Sequence, residues 1–189
     1  MPPIPLPRPA GADRMSVVDP VELVILVGIQ ASGKTTYYRR RLADRYLHVS
    51  LDHWRGKGNV RAKERAAIDE AMDQAADDDT LRGVAVDNTN TTGETRRRYF
   101  DIAREFAART GRGVRVIAIF FDEPLEACQA RNAARPVDPP VGEPYFVPPA
   151  AIASFHSRLQ PPSRDEAFDE VRRVRVTEDG SFVVDGDDG

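Results

Sequence analysis

The chain has 189 residues, and its 41% hydrophobic and 30% charged content is ordinary for one globular domain with a buried core. Its formal net charge of -3 excludes an overall positive field that would draw it to nucleic acid or to a membrane, so a site for a polyanion has to be a local patch. A single cysteine, Cys128, and three histidines exclude an intrachain disulfide and a zinc site made of Cys and His.

The two ends of the chain differ from its middle. Five prolines in the first ten residues, MPPIPLPRPA, predict that residues 1–18 form a disordered, proline-rich leader, with Met15 as an alternative start. The acidic, glycine-rich residues 179–189 are predicted to be a flexible tail. No stretch approaches the roughly 18 apolar residues of a membrane span and no signal peptide is recognisable, so we expect a cytoplasmic protein with no membrane contact and no identifiable protein partner.

Apolar stretches and amphipathic stretches alternate between these ends. The predicted strands are 21–28, 46–52, 82–88, 114–121 and 168–176, the last with a hairpin partner at 181–184. The predicted helices are 34–45, 61–76, 93–109, 123–135 and 150–160. Six prolines at 136–149 predict an ordered loop or lid. The alternation predicts an α/β fold with a mostly parallel sheet and helices on both faces.

The stretch GIQASGKTT, Gly28 to Thr36, has the Gly-x4-Gly-Lys-Thr spacing of a Walker A loop between an apolar strand and a helix. Backbone N–H groups of such a loop surround the β-phosphate, Lys34 reaches the β- and γ-phosphates, and the Thr35 hydroxyl binds Mg²⁺. Ala31 stands where many kinases have another glycine, which costs little if its φ is negative. The residues expected to bind ATP here are Gly28, Ala31, Ser32, Gly33, Lys34, Thr35 and Thr36.

Asp52 follows the second predicted strand, in SLDHWR. Open α/β sheets bind ligands at the carboxyl ends of their strands, and a kinase needs a base, usually an Asp, for the attacking hydroxyl. The alternative is that Asp52 caps the next helix.

A short basic cluster is the one place where a polyanion could dock, although a charge run is usually only a solvated helix end. Its members are Arg55, Lys57, Arg61, Lys63 and Arg65. Trp54 can stack on a base or pack in the core, and both readings stay open. His48 and His53 are interpreted as structural.

Asp87, Asn88, Thr89 and Asn90 end the third strand with four polar residues. They could bind the waters of Mg²⁺, the acceptor or both, and the position of Asp87 makes it a Walker B-like candidate. The alternative is ordinary turn and capping chemistry.

Arg131 and Arg135 lie four residues apart, just before the proline-rich segment, and therefore share one helical face. Such arginines could close over the triphosphate and stabilise the charge that moves during transfer. The alternative is a favourable interaction with the C-terminal end of the helix dipole.

Five pieces of the chain resemble the kinase domain of polynucleotide 5'-hydroxyl kinases and, more closely, a group of small stand-alone bacterial predicted kinases. The pieces, in order, are GIQASGKTT, SLDHWR, VDNTN, ARNAAR and PPSRDEAFDEV, and they cover about residues 21–176. The resemblance implies a P-loop NTPase three-layer sandwich over residues 19–178, with a five-stranded sheet in the order 2-3-1-4-5 and a lid at about 134–149. The last piece departs from the family, because it reads EAF where relatives often have EGF.

The resemblance also implies roles for individual residues. Asp52 would be the general base and Arg55 would bind the acceptor phosphate. Asp87 and Asn90 would shape the acceptor pocket, and Arg135, with Arg131, would hold ATP from the lid.

The first hypothesis is therefore an ATP-dependent, Mg²⁺-requiring kinase that phosphorylates a hydroxyl, above all the 5'-OH of a nucleic acid or nucleotide. Its catalytic residues would be Asp52, Lys34 and Arg135. A second hypothesis keeps the kinase chemistry with a small metabolite as acceptor, as in toxin or antibiotic kinases. A third, a nucleotide-dependent switch without transfer, would leave Asp52 dispensable.

Overall fold

The computed structural model of the chain describes residues 19–186, so the predicted leader, residues 1–18, and the end of the predicted tail, residues 187–189, lie outside the described residues. Six strands form one sheet in the order β2-β3-β1-β4-β5-β6. Their bounds are β1 (Val21–Val27), β2 (Tyr46–Val49), β3 (Gly83–Asp87), β4 (Val114–Phe121), β5 (Glu170–Val176) and β6 (Phe182–Gly186). The first five are parallel to their neighbours, and β6 is antiparallel to β5. The predicted α/β class is confirmed, and the predicted order of five strands is extended by β6.

The sixth strand corrects the prediction of a flexible tail from residue 179. Phe182 pairs with Val176 and Gly186 with Arg172 along the edge of the sheet. The turn before β6 contains Gly180 at φ 78, a left-handed conformation that favours glycine. The hairpin prediction for this segment agrees with the structure.

Helices cover both faces of the sheet. They are α1 (Lys34–Tyr37), which continues as a π-helical turn over Tyr38–Leu42, α2 (Val60–Asp77), α3 (Gly93–Thr110), α4 (Leu125–Ala133) and α5 (Pro149–Ser157). A short 3₁₀ turn, Leu51–Trp54, follows β2. The predicted lid has no regular secondary structure until α5 begins at Pro149.

The core lies in two layers, one on each face of the sheet. The apolar stripes that the sequence predicts for α2 and α3 are buried against one face, and Ile68, Met72 and Tyr99 are all 0% exposed there. On the other face, Tyr37 and Phe121 pack edge to face at 5.5 Å. All seven residues of β1 are buried, as expected for a parallel strand covered on both sides. The central strands therefore hold their carboxyl ends, where the polar residues lie, in a fixed frame.

Candidate active site

The loop between β1 and α1 is closed around its own lysine. Lys34 is 7% exposed, and its Nζ donates hydrogen bonds to the Gly28 carbonyl at 2.9 Å and the Ile29 carbonyl at 2.7 Å. Burial lowers the pKa of Lys34 from 10.5 to about 8, because desolvation disfavours the charged ammonium. A side chain at Gly28 would meet the Ser32 hydroxyl at 2.8 Å, so this position needs glycine for close packing. Ala31 has φ 60, so the condition under which alanine costs little at this position is not met.

A threonine and a histidine hold the carboxylate at the end of β3. Thr35 Oγ1 donates to Asp87 Oδ2 at 2.7 Å, and His48 Nε2 lies 3.2 Å from the same oxygen. The Asp87 side chain is 4% exposed, and its pKa is lowered although burial acts in the opposite direction, because His48, Lys34 and Thr35 all favour the ionised form. The structure thus joins the predicted Walker B-like acid to the predicted metal ligand.

Sequence reasoning missed the contact of His48 with Asp87. The contact depends on the register of β2 and β3, which the sequence pattern does not contain. His48 pairs with Ala85, and Asp87 is two residues beyond Ala85, so the side chains of His48 and Asp87 lie on one face of the sheet. The ring of His48 is stacked on Tyr38 at 4.2 Å, which fixes its orientation.

A cavity of about 220 Å³ lies among the P-loop, the 3₁₀ turn, the end of β3 and the lid. Predicted site residues that line it are Ala31, Lys34, Thr35, Asp52, Asp87, Asn88, Thr89 and Arg135. The structure therefore brings together the three predicted catalytic residues and the predicted metal ligand.

Asp52 does not cap the next helix. The residue that precedes α2 is Asn59, while the hydroxyl of Ser50 caps the 3₁₀ turn by accepting a hydrogen bond from the backbone N–H of Asp52 at 3.3 Å. Asp52 lines the cavity instead. Its pKa is raised, first by burial and then by the neighbouring Asp87, whereas Lys34 and Arg135 act against that rise. A carboxylate that holds protons more tightly than usual is suited to act as a base.

The two lid arginines separate. Arg135 lines the cavity, and burial lowers its pKa. Arg131 turns away and donates to Glu123 Oε2 at 2.6 Å, while Glu123 Oε1 accepts from the backbone N–H of Val176 at 2.7 Å. Arg131 lines a second cavity, of about 560 Å³, between α4 and the end of β5. Val176 also lines that cavity and lies 3.1 Å from the position that a side chain at Gly33 would take, so Val176 lies between the second cavity and the P-loop.

Arg55 does not line the first cavity, because the lid holds it. Its guanidinium donates to the Pro139 carbonyl at 3.0 Å, lies 3.7 Å from the Asp138 carboxylate and stacks over the ring of Tyr145 at 4.5 Å. Tyr145 itself lines the cavity. Arg55 therefore contacts a residue that lines the cavity without lining the cavity itself. Arg55 is also bound to the lid, which covers the cavity.

Thr89 and Asn90 differ in their position relative to the cavity. Thr89 lines the cavity and accepts a hydrogen bond from the backbone N–H of Gly28 at 3.0 Å. Asn90 is 1% exposed and lies outside the cavity lining, where its amide donates to the Leu26 carbonyl at 3.0 Å. Its φ of 48 is a left-handed conformation that asparagine tolerates. The turn chemistry that the sequence left as an alternative applies to Asn90.

The basic cluster after Asp52 is partly neutralised. Arg65 contacts Asp69 at 2.8 Å and Glu105 at 2.5 Å, and Arg61 lies 3.3 Å from Glu64. Lys57 and Lys63 are exposed. Trp54 is partly buried and packs against the core.

Across residues 19–186, no helix is long and apolar enough to cross a membrane. Over the same residues, no group of three or more His, Cys, Asp or Glu is arranged to hold a metal ion.

Comparison with known proteins gives the family. Residues 23–162 match the model of the AAA domain family, which is more than half of the chain. The bifunctional polynucleotide phosphatase/kinase of Schizosaccharomyces pombe is 30% identical over 154 residues, which are 81% of this chain and 33% of that protein. The chain thus spans about a third of the length of this curated relative.

Solved structures share the fold at low identity. A fungal RNA kinase superposes with a TM-score of 0.57 at 20% identity, over 85% of this chain and 77% of that one. Kti12 of Chaetomium thermophilum, in complex with ADP-AlF3, gives 0.54 at 17% identity, over 84% and 92%. The chain therefore belongs to the AAA domain family and has the fold of a P-loop kinase.

Proposed function

We propose that this chain is an ATP-dependent kinase whose acceptor is the 5'-hydroxyl of a polynucleotide or nucleotide. One observation carries the kinase part of the proposal: Asp52 lines the same cavity as Lys34, Thr35 and Arg135. A nucleotide switch with slow hydrolysis would leave Asp52 dispensable, so the transfer assay of Asp52→Ala below separates the kinase from the switch.

Each residue has a distinct task in this proposal. Lys34 exchanges its carbonyl partners for the β- and γ-phosphates, and Arg135 neutralises charge on the transferred group. Asp52 accepts the proton of the acceptor hydroxyl, whose oxygen forms a bond to the γ-phosphorus while the bond from that phosphorus to the bridging oxygen breaks and ADP leaves. The second cavity, beside Gly33 and Val176, takes the nucleoside part of ATP, with Arg131 at its edge.

Thr35 and Asp87 fit a magnesium ion. A hydroxyl and a carboxylate are the hard oxygen donors that Mg²⁺ prefers, and phosphate and water oxygens complete its shell in most kinases. When bound, the ion neutralises charge on the β- and γ-phosphates. The bond of Thr35 to Asp87 at 2.7 Å places both donors at one point of the cavity.

The acceptor assignment rests on Arg55 and on the 30% identity to the fission yeast polynucleotide phosphatase/kinase. A guanidinium one contact from the cavity is suited to bind the phosphate next to a 5'-hydroxyl, once it leaves Pro139 and Asp138. Asn90, which is fixed in the interior, would shape the acceptor pocket through its neighbours and would not touch the acceptor.

Transfer of labelled γ-phosphate from ATP to 5'-hydroxyl oligonucleotides tests the proposal. Asp52→Ala should lower transfer by roughly 10²–10⁴-fold, because base catalysis typically contributes that much, while ATP binding stays near the wild-type value. Acceptor affinity should fall with added salt if the acceptor is a polynucleotide. Near-normal turnover of Asp52→Ala would show that the base is another group.

A small hydroxyl compound is the second candidate for the acceptor. The modest cavity of about 220 Å³ and the ion pairs of Arg61 and Arg65 favour it, because they leave little open positive surface for a long polyanion. A panel of metabolites assayed beside the oligonucleotides distinguishes the two acceptors.

A further inference from the structure

A buried carboxylate behind the cavity has no task in the chemistry above. Glu64 of α2 is 1% exposed. Its Oε1 accepts from the side-chain amide of Asn88 at 2.6 Å and lies 2.9 Å from the hydroxyl of Tyr99. Arg98 and Arg61 each donate to it at 3.3 Å. Burial of a carboxylate is costly unless such partners satisfy it, so the position is specified closely.

On one side, hydrogen bonds connect Glu64 to the turn that carries the proposed base, Asp52. Asn88, whose amide N–H₂ is bound to Glu64, accepts a hydrogen bond from the backbone N–H of Leu51 at 2.8 Å through its other amide atom. Leu51 begins the 3₁₀ turn and is the residue directly before Asp52. Two hydrogen bonds in series therefore join Glu64 to the backbone that carries Asp52.

On the other side, hydrogen bonds connect Glu64 to the strand that ends in the phosphate loop. The Tyr99 hydroxyl lies 2.9 Å from Glu64 and 2.9 Å from the side-chain oxygen of Asn90. The amide nitrogen of Asn90 donates to the Leu26 carbonyl, two residues before Gly28. The same buried network thus contacts the strand that ends in the phosphate loop and the turn that carries the base.

We infer that Glu64 is a positioning residue that sets the separation between Asp52 and the P-loop, through Asn88 on one side and Tyr99 with Asn90 on the other. The inference rests on the proposed kinase function for its effect on turnover. Displacement of a reacting group by about 1 Å can lower the rate on the order of 10²-fold, so a network that fixes the separation between the base and the P-loop affects turnover. It also gives Asn88 and Asn90 of the VDNTN segment a shared task.

Trp54 allows this frame to be measured without any assay of activity. It is the only tryptophan of the chain, and it lies in the same turn as Asp52, partly buried against the core. Its fluorescence therefore reports the placement of that turn. Glu64→Gln keeps an oxygen that can accept from Asn88, whereas Glu64→Ala removes the acceptor.

The experiment compares Glu64→Ala, Glu64→Gln and the control Glu70→Ala, which changes an exposed residue of the same helix. In Glu64→Ala we expect the emission of Trp54 to move to longer wavelength and kcat to fall by at least about tenfold, with the KM for ATP changed by less than about twofold. Glu64→Gln should recover the emission and most of kcat. Asn88→Ala removes the hydrogen bonds that join Glu64 to Leu51 and leaves Glu64 in place, so it should reproduce the emission shift. This variant replaces Glu64→Ala in the experiment if Glu64→Ala does not fold.

The possible results separate the inference from the proposed function. Unchanged Trp54 emission in both Glu64→Ala and Asn88→Ala would overturn the inference, as would an equal loss in Glu64→Gln and Glu64→Ala. Wild-type protein that transfers no phosphate would instead overturn the proposed function, and the emission of Trp54 would still decide whether Glu64 places the turn.

Discussion

At the scale of single residues, the lowered pKa of Lys34 predicts that nucleotide binding depends on pH. Its pKa of about 8 means that the ammonium loses its proton as pH rises through the mildly alkaline range. Bound phosphates attract the charged form only, so we expect nucleotide affinity to be constant well below pH 8, to be about halved at pH 8, and to weaken about fivefold more between pH 8 and pH 9. Equilibrium binding of ATP over that range measures the effect.

Lys34→Arg is the control for this titration. A guanidinium stays charged across the whole range, so the variant should bind ATP more weakly at neutral pH and should lack the alkaline loss of affinity. An identical alkaline loss in wild type and variant would assign the titration to another group.

The residue scale also shows where sequence reasoning stops. The Walker A spacing was enough to predict that Lys34 and Thr35 lie together, because the motif is local. The contact of Asp87 with His48 joins two strands and depends on their register, which no local pattern contains. The direction of Arg131 depends on Glu123, which lies eight residues earlier and was not singled out. The sequence therefore predicted which strand and helix ends meet at the site, but not the individual side-chain contacts that depend on strand register or on residues outside the motifs.

At the scale of elements, the lid is held down by a few separate contacts. Arg39 of the π-helical turn donates to Glu143 at 2.8 Å, and Arg55 holds Pro139. Gly142 has φ 92, and a side chain there would meet the ring of His53 at 2.9 Å. The prolines predicted an ordered loop at 136–149, but proline content does not say which surface a loop contacts. The lid's partners were therefore not predictable from sequence.

Gly142→Ala tests the seating of the lid. The substitution introduces left-handed strain of about 1–2 kcal/mol and also a clash with His53, so we expect the lid to lift. Hydrogen exchange should accelerate at Phe146, whose backbone N–H donates to the Pro136 carbonyl at 2.7 Å.

Gly111→Ala is the matched control for the lid. Gly111 ends α3, away from the lid, and it has φ 73 and nothing within 4 Å of the added methyl group, so it carries the same strain without a clash. Equal exchange at Phe146 in both variants would mean that strain alone loosens the chain and that contact with His53 does not seat the lid.

At the scale of the whole molecule, the sheet couples its far edge to the phosphate loop. β6 is the edge strand, yet the ring of Phe182 packs edge to face on Tyr37 of α1 at 5.1 Å and lies 3.4 Å from the position of a side chain at Gly33. The alternation of apolar stretches predicted the parallel strands and their layers, because a strand buried on both faces is a nearly continuous run of apolar residues. It did not predict that the antiparallel edge supports α1, because that support comes from one partly buried side chain, Phe182, while its neighbours at 181 and 183–185 are exposed.

Phe182→Ala should therefore weaken stability and nucleotide binding together. Loss of a partly buried aromatic ring is expected to lower the free energy of unfolding by about 1–3 kcal/mol, below the cost for a fully buried ring. The affinity for ATP should also fall, since Tyr37 and Gly33 lose a packing partner beside the phosphates. Val183→Ala, at a residue of the same strand that is 44% exposed and points to the other face, should change both by much less. Urea unfolding and ATP titration of the two variants measure the contrast, and a Phe182→Ala protein that is less stable but binds ATP as tightly as wild type would confine β6 to a role in folding.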